Sequence, residues 1–229
     1  MRLDKYLCHN ASITRSEAKK AIKKKQVTVN ESIITDPSLH ISIDDEVCIN
    51  DTPIRHLGTQ YLMLHKPSGF ISSTEDGQYP TVIDLIDEPA RGLHPAGRLD
   101  VDTTGLVLLT NDGQWAHKVT SPNHECKKQY LVSLDKEITD KAIEMLTAGI
   151  YFKSEERKTR PAAVKVIEST LVELTISEGM FHQVKRMFAA TGNEVIDLHR
   201  SQIGDIILDP TLEPGEYRPL TQQEIESIR

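Results

Sequence analysis

The chain has 229 residues, 38% of them hydrophobic and 27% charged, with a formal net charge of −7. This is the composition of one large or two smaller globular domains; no apolar run approaches the roughly 20 residues of a membrane span, and MRLDKYLCHN lacks a signal peptide's apolar core. Cys8, Cys48 and Cys126 are odd in number and far apart, which argues against a disulfide framework or a zinc site and points to a reducing cytoplasm.

The charge is unevenly spread. Residues 1–25 carry eight Lys/Arg against two acids, leaving −13 for the remainder. Such asymmetry is either a solvated lysine-rich face or a dedicated contact with nucleic acid or membrane. RLDKYL puts Leu3, Tyr6 and Leu7 on one helical face. A second helix starts at Thr14, with Glu17 at capping-box spacing. Its apolar side is Ala18, Ala21 and Ile22, so the lysines project elsewhere. QVTVNESIIT reads as two short strands around Asn30-Glu31, and EVCIN as a third. Residues 51–60 lack periodicity and read as a linker.

On RLDKYL, Arg15-Ser16, Ala18, Ile22 and VTVN, this segment resembles the S4 RNA-binding domain. The resemblance implies that the second helix lies on structured RNA, with Arg15, Lys19, Lys20, Lys23 and Lys24 against phosphates. Such contacts position without reading sequence. The family usually has Gly where Lys25 or Gln26 stands, and Asn-Gly where Asn30-Glu31 stands.

From residue 59 onward a larger domain is expected. YLMLHKPSGFIS opens with an apolar strand, and 105–110, 130–134 and 171–176 read as further strands. Residues 139–148 and 181–191 read as helices, giving an α+β class. No dinucleotide fingerprint, P-loop or zinc-protease motif is present. The unusual stretch is HPAGRLDVDTTGLVLLTNDG, residues 94–113, which sets Arg98, Asp100 and Asp102 at the mouth of an apolar run. Charged residues are poor strand formers and costly to bury unpaired, so the cluster is either a salt-bridged turn or a site.

Four pieces, HKPSG (65–69), GRLDVDTTGL (97–106), KQYLV (128–132) and EGMFHQVKRMF (178–188), together resemble the pseudouridine synthases. The branch is the one that acts on ribosomal RNA through an S4 domain. The resemblance implies a mixed, largely antiparallel sheet flanked by helices, without cofactor or metal. It makes Asp100 the nucleophile, Lys185 its ion-pair partner, and Tyr130 a stacking and proton-transfer group. Arg98, Arg186, Arg200 and Leu198 become RNA contacts. The reaction breaks the bond from uracil N1 to the ribose, turns the base and joins C5 to the sugar. Asp102 reads first as a turn-fixing carboxylate, and Lys66 as a structural element at a strand end. Met180 stands where relatives commonly have Arg.

The implied partner is 16S rRNA or a small-subunit assembly intermediate, with uridine 516 as target and a monomeric enzyme. The short C-terminus favours this over a large-subunit target. A non-catalytic S4 assembly factor would lack Asp100, Tyr130 or Lys185, and all three are present. A carboxylate glycosidase using Asp100 and Asp102 would leave the basic helix unexplained.

Overall fold

The computed structural model describes every residue except 12, 43, 57, 75, 76, 88–91 and 229. The sequence reading divides the chain at 58/59. Its compact units are Met1–Gln60 with Asp87–Leu93, and Tyr61–Ile86 with His94–Arg229.

The smaller unit contains α1 (Leu3–Asn10), α2 (Arg15–Lys23), β1 (Val27–Val29), β2 (Ser32–Ile33), β3 (Val47–Ile49) and β4 (Thr52–Pro53). The sheet order is β2-β1-β3-β4, and Leu3, Tyr6, Leu7, Ala18, Ile22 and Val27 close the core. The capping box forms: Glu17 N donates to Thr14 Oγ1 at 3.2 Å, and Thr14 N to the Glu17 carboxylate at 2.7 Å. Part of the expected linker belongs to this unit instead. Thr52 and Pro53 pair with Ile49 and Cys48, and the Tyr6 hydroxyl donates to Ile54 O at 3.0 Å. Residue 57 of that linker lies outside the described residues. Asn30 and Glu31 take φ of 49° and 64°, and Asn50 and Asp51 47° and 62°. Positive φ at both central residues is the hairpin geometry that matches strand twist, so these turns form without glycine.

The larger unit runs through β5 (Tyr61–Lys66), β6 (His94–Pro95), β7 (Thr104–Thr110), α3 (Gly113–Thr120), β8 (Lys128–Leu134), α4 (Asp140–Ala148), β9 (Tyr151–Phe152) and β10 (Arg157–Lys158). It continues with β11 (Ala163–Glu168), β12 (Leu171–Ile176), α5 (Gln183–Ala190), β13 (Val195–Ile203), β14 (Ile206–Ile207), β15 (Tyr217–Pro219) and α6 (Gln222–Ser227). The main sheet has the order β11-β12-β8-β13-β7-β5-β15, with β14 on β13 and β6 on β7. β13 and β7 run parallel, while the other ladders are antiparallel. This is the expected mixed α+β sheet. β7 is a continuous apolar run because both its faces are covered; Leu106 to Leu109 are fully buried. β8 alternates buried and half-buried, as a strand with one open face does. Gly105 (φ +102°) allows β7 to approach β13, since a Cβ there would lie 2.3 Å from Arg200 O. Trp115 on α3, Met63, Leu108, Ile203 and Ile228 share one core cluster.

Candidate active site

The carboxylates sit on the turn between β6 and β7, and that turn is held from beneath. Lys66, the last residue of β5, is fully buried. Its Nζ donates to Pro67 O (3.0 Å), Val101 O (3.2 Å) and Thr103 O (2.7 Å). Burial pushes the amine down to about 8, against the attraction of Asp102 and Asp100. Ser72 grips the other side: Leu99 N donates to Ser72 Oγ at 3.0 Å, and Ser72 Oγ to Leu99 O at 3.2 Å. The structural element expected at Lys66 is thus the clamp of the carboxylate turn.

Two side chains reach this turn from the start of α5, Lys185 in its first turn and His182 at its N-cap. Lys185 Nζ lies 3.7 Å from Asp100 Oδ2. It is closer to Asp102, 2.6 and 2.7 Å from the two oxygens. The expected pairing of Lys185 with Asp100 is therefore shared, with Asp102 as the nearer partner. The Lys185 hydrogen bond holds the Asp102 carboxyl below its usual range, outweighing burial. His182 Nε2 lies 3.4 Å from Asp100 Oδ1, a contact the sequence reading misses. Its only signal was adjacency to Gln183-Val184-Lys185. His182 takes φ +46° at the N-cap of α5, a cost that local hydrogen bonds offset. Buried Glu178 accepts from Arg160 N (2.7 Å), Gln183 Nε2 (3.1 Å) and Arg157 Nη2 (3.2 Å). Gln183 Oε1 accepts from Met180 N at 2.8 Å.

Tyr130 on β8 pairs in register with Arg200 on β13, and Val132 with Leu198, so Tyr130, Arg200 and Leu198 share one sheet face. All three are buried. Arg200 departs from the expected RNA contact. It is 2% exposed, and its Nε donates to Leu106 O at 2.8 Å and its Nη1 to Arg98 O at 3.4 Å, supporting the turn from inside. Arg186 is also committed. Its guanidinium meets both Glu155 oxygens at 2.6 Å and stacks 3.8 Å over the Phe152 ring, holding Glu155 down to about 2. Arg15 binds the buried Asp4 carboxylate at 3.1 Å. There burial pushes the acid up, and Arg2 and Arg15 together outweigh it. Arg98, Lys19, Lys20, Lys23 and Lys24 are exposed as expected. Beside Lys185 and Asp102 opens a cleft of about 560 Å³ reaching Lys136, Asn193 and Glu194.

A carboxylate facing a lysine and a histidine on a clamped turn, at the edge of a mixed sheet and in a chain with its own basic helical unit, defines an RNA-modifying isomerase of known type. Residues 60–190 match the family described as RNA pseudouridylate synthase and residues 1–47 the S4 domain, and the chain belongs to the former family. Ribosomal small subunit pseudouridine synthase A of Haemophilus influenzae is 50% identical over 230 residues, covering 100% of this chain and 99% of that protein. Its counterpart in Escherichia coli (strain K12) is 48% identical, with both chains fully covered. A solved pseudouridylate synthase structure superposes with a TM-score of 0.73 at 49% identity, over all of both chains.

Proposed function

We propose that this enzyme isomerises uridine to pseudouridine in small-subunit rRNA, at uridine 516 of 16S rRNA, with Asp100 as nucleophile. The carrying observation is the Asp100 carboxylate, with His182 Nε2 at 3.4 Å and Lys185 Nζ at 3.7 Å. The near-half identity to small-subunit enzymes over the complete chain supports the choice of RNA.

A uridine inside folded RNA must leave its stack before a carboxylate reaches it. Tyr130 forms the flat wall for the extruded base and Leu198 the apolar contact beneath it. Asp100 takes part in breaking the N1–C1′ bond. The freed uracil turns in the pocket, C5 bonds to C1′, the C5 proton is lost with help from the Tyr130 hydroxyl, and N1, which keeps the electron pair of the broken bond, takes up a proton. Atoms and electrons balance without redox chemistry. Arg98 engages the RNA backbone at the rim, and Lys19, Lys20, Lys23 and Lys24 contact phosphates, which makes binding steeply salt-dependent. The enzyme acts as a monomer in the cytoplasm, where its free Cys8, Cys48 and Cys126 stay reduced.

The test is tritium release from C5-labelled uridine in naked small-subunit rRNA and in assembly intermediates, with large-subunit rRNA in parallel. Release from small-subunit RNA, abolished in Asp100→Asn, is the expected result. Release confined to large-subunit RNA overturns the target, and release undiminished in Asp100→Asn overturns the nucleophile.

A further inference from the structure

Phe181 is the most exposed of the large apolar side chains among the described residues, at 70%. It opens the stretch 181–191 that reads as a helix, in which Val184, Met187 and Phe188 are buried. Its exposure does not come from a loose loop. Arg186 Nη1 donates to Phe181 O at 2.9 Å, and Arg186 is itself locked between Glu155 and Phe152. Gln183 N donates to Met180 O at 3.2 Å, and the left-handed turn at His182 sends the Phe181 ring outward while α5 packs inward. A large apolar ring held out in water by a rigid, multiply bonded turn is what a contact site requires.

The ring is also placed. It stacks on the His182 imidazole with centroids 3.8 Å apart and planes 19° apart. His182 in turn touches Asp100 at 3.4 Å. Carboxylate, imidazole and phenyl thus form a continuous series from the reacting group to the exposed ring. A single flat ring flanked by charged groups suits a nucleobase better than an apolar protein surface, because every base offers a π-face.

We propose that Phe181 is a base-stacking platform: the phenyl ring, backed by His182, receives the base of a nucleotide flanking the target uridine and so positions the extruded uridine over Asp100. The proposal rests on the reading of this site as an RNA isomerase. It makes Phe181 a positioning residue, and Phe181→Leu, which keeps apolar bulk without a π-face, should separate binding from chemistry.

The experiment uses the full chain and measures small-subunit rRNA binding, KM and kcat for wild type, Phe181→Leu and Phe181→Tyr, with urea unfolding as control. One base stack is worth roughly 5- to 150-fold in affinity. The expected result is a rise of about 10-fold or more in Kd and KM for Phe181→Leu, a smaller change in kcat, an unchanged unfolding midpoint, and recovery in Phe181→Tyr. RNA carrying 2-aminopurine at either nucleotide flanking the target should lose fluorescence on wild-type enzyme and keep it on Phe181→Leu. Wild-type affinity in Phe181→Leu, or no recovery in Phe181→Tyr, overturns the platform. Absence of turnover by wild type on any RNA, with binding intact, overturns the functional reading instead, and the binding comparison still decides the stack. No RNA binding by wild type overturns both.

Discussion

Lys66→Met should leave the fold standing and remove most of the activity. The thioether keeps much of the stem's volume and deletes the ammonium that donates to Pro67, Val101 and Thr103 at 3.0, 3.2 and 2.7 Å. Leaving three carbonyls without their donor costs about 3 kcal/mol at roughly 1 kcal/mol each. Against this stands the cost of burying the charge. Displacement of the amine from 10.5 to about 8 corresponds to on the order of 3 kcal/mol disfavouring the ammonium. The two nearly cancel, so unfolding free energy in urea should change by less than about 2 kcal/mol. Activity has no such compensation. Asp100 and Asp102 ride on the clamped turn, and slippage of about 1 Å at a reacting group costs roughly 100-fold. The same amine gives two pH signatures of opposite sign. Its folded value of about 8 lies below 10.5, so the unfolded chain holds more protons between them and the Lys66 contribution to stability rises with pH across that window. Turnover should instead fall as pH rises through about 8, because a neutral amine has two N–H bonds for three carbonyls. Tritium release and urea unfolding, measured from pH 6 to pH 10 on both proteins, read all of this; those limits are about two units either side of the Lys66 value. Wild-type turnover in Lys66→Met, or a stability loss above about 5 kcal/mol, would refute the clamp.

Asp102→Asn should stay within about fivefold of wild-type tritium release, because the half-exposed pair with Lys185 is worth about 1 kcal/mol or less; a loss as deep as that of Asp100→Asn would give Asp102 a share in the chemistry. Gly105→Ala should fail to fold or lose more than about 4 kcal/mol in urea, since its Cβ would meet Arg200 O at 2.3 Å with φ at +102°; a wild-type midpoint would overturn the close approach of β7 and β13. Glu31→Gly should raise the unfolding free energy in urea by up to about 1 kcal/mol, the left-handed cost of an L-residue less glycine's extra chain entropy. A drop would mean that the Glu31 side chain stabilises the turn.

Local signals carried much of the architecture. The Thr14–Glu17 capping box, the Leu3/Tyr6/Leu7 face and the strand at 171–176 depend on neighbours in sequence, and each forms as read. β4 was unreadable because Thr52 and Pro53 have no strand periodicity and are held by register with β3. Arg200 and Phe181 lie at depths unusual for their residue types, in opposite directions and for one reason. Alternation and composition give a residue type its usual depth, whereas a charged side chain can go inside when backbone carbonyls receive its donors, and a phenyl can stay outside when a turn fixes it there. The Lys185–Asp102 contact spans 83 positions, and only the packing of α5 against the turn creates it. Asp100 was legible because GRLDVDTTGL is a contiguous motif; His182 was not, because its role depends on a left-handed φ that nothing in HQVK announces.

The larger unit supplies most of the −13 carried by residues 26–229, yet it keeps Lys66, Lys128 and Arg200 buried. No carboxylate pairs with any of them among the described residues; they donate to carbonyls of Pro67, Val101, Thr103, Val119, Leu106 and Arg98, and buried Arg200 Nη2 has no partner. Carbonyl dipoles compensate such charges only partly, and burial pushes both lysine amines down. Lys66 and Lys128 each also feel repulsion from Arg200, and the buried charge that reaches the carboxylate turn is that of Lys66, which bonds Val101 O and Thr103 O, and of Arg200, which bonds Arg98 O. Surface charges are screened beyond about 8 Å at physiological salt, whereas buried ones are screened much less. Close to the turn, Lys66 beneath it and Lys185 beside it therefore weigh more than acids distributed over the exterior. An approaching polyanion is favoured by that arrangement, and net charge is the wrong guide to what this surface binds.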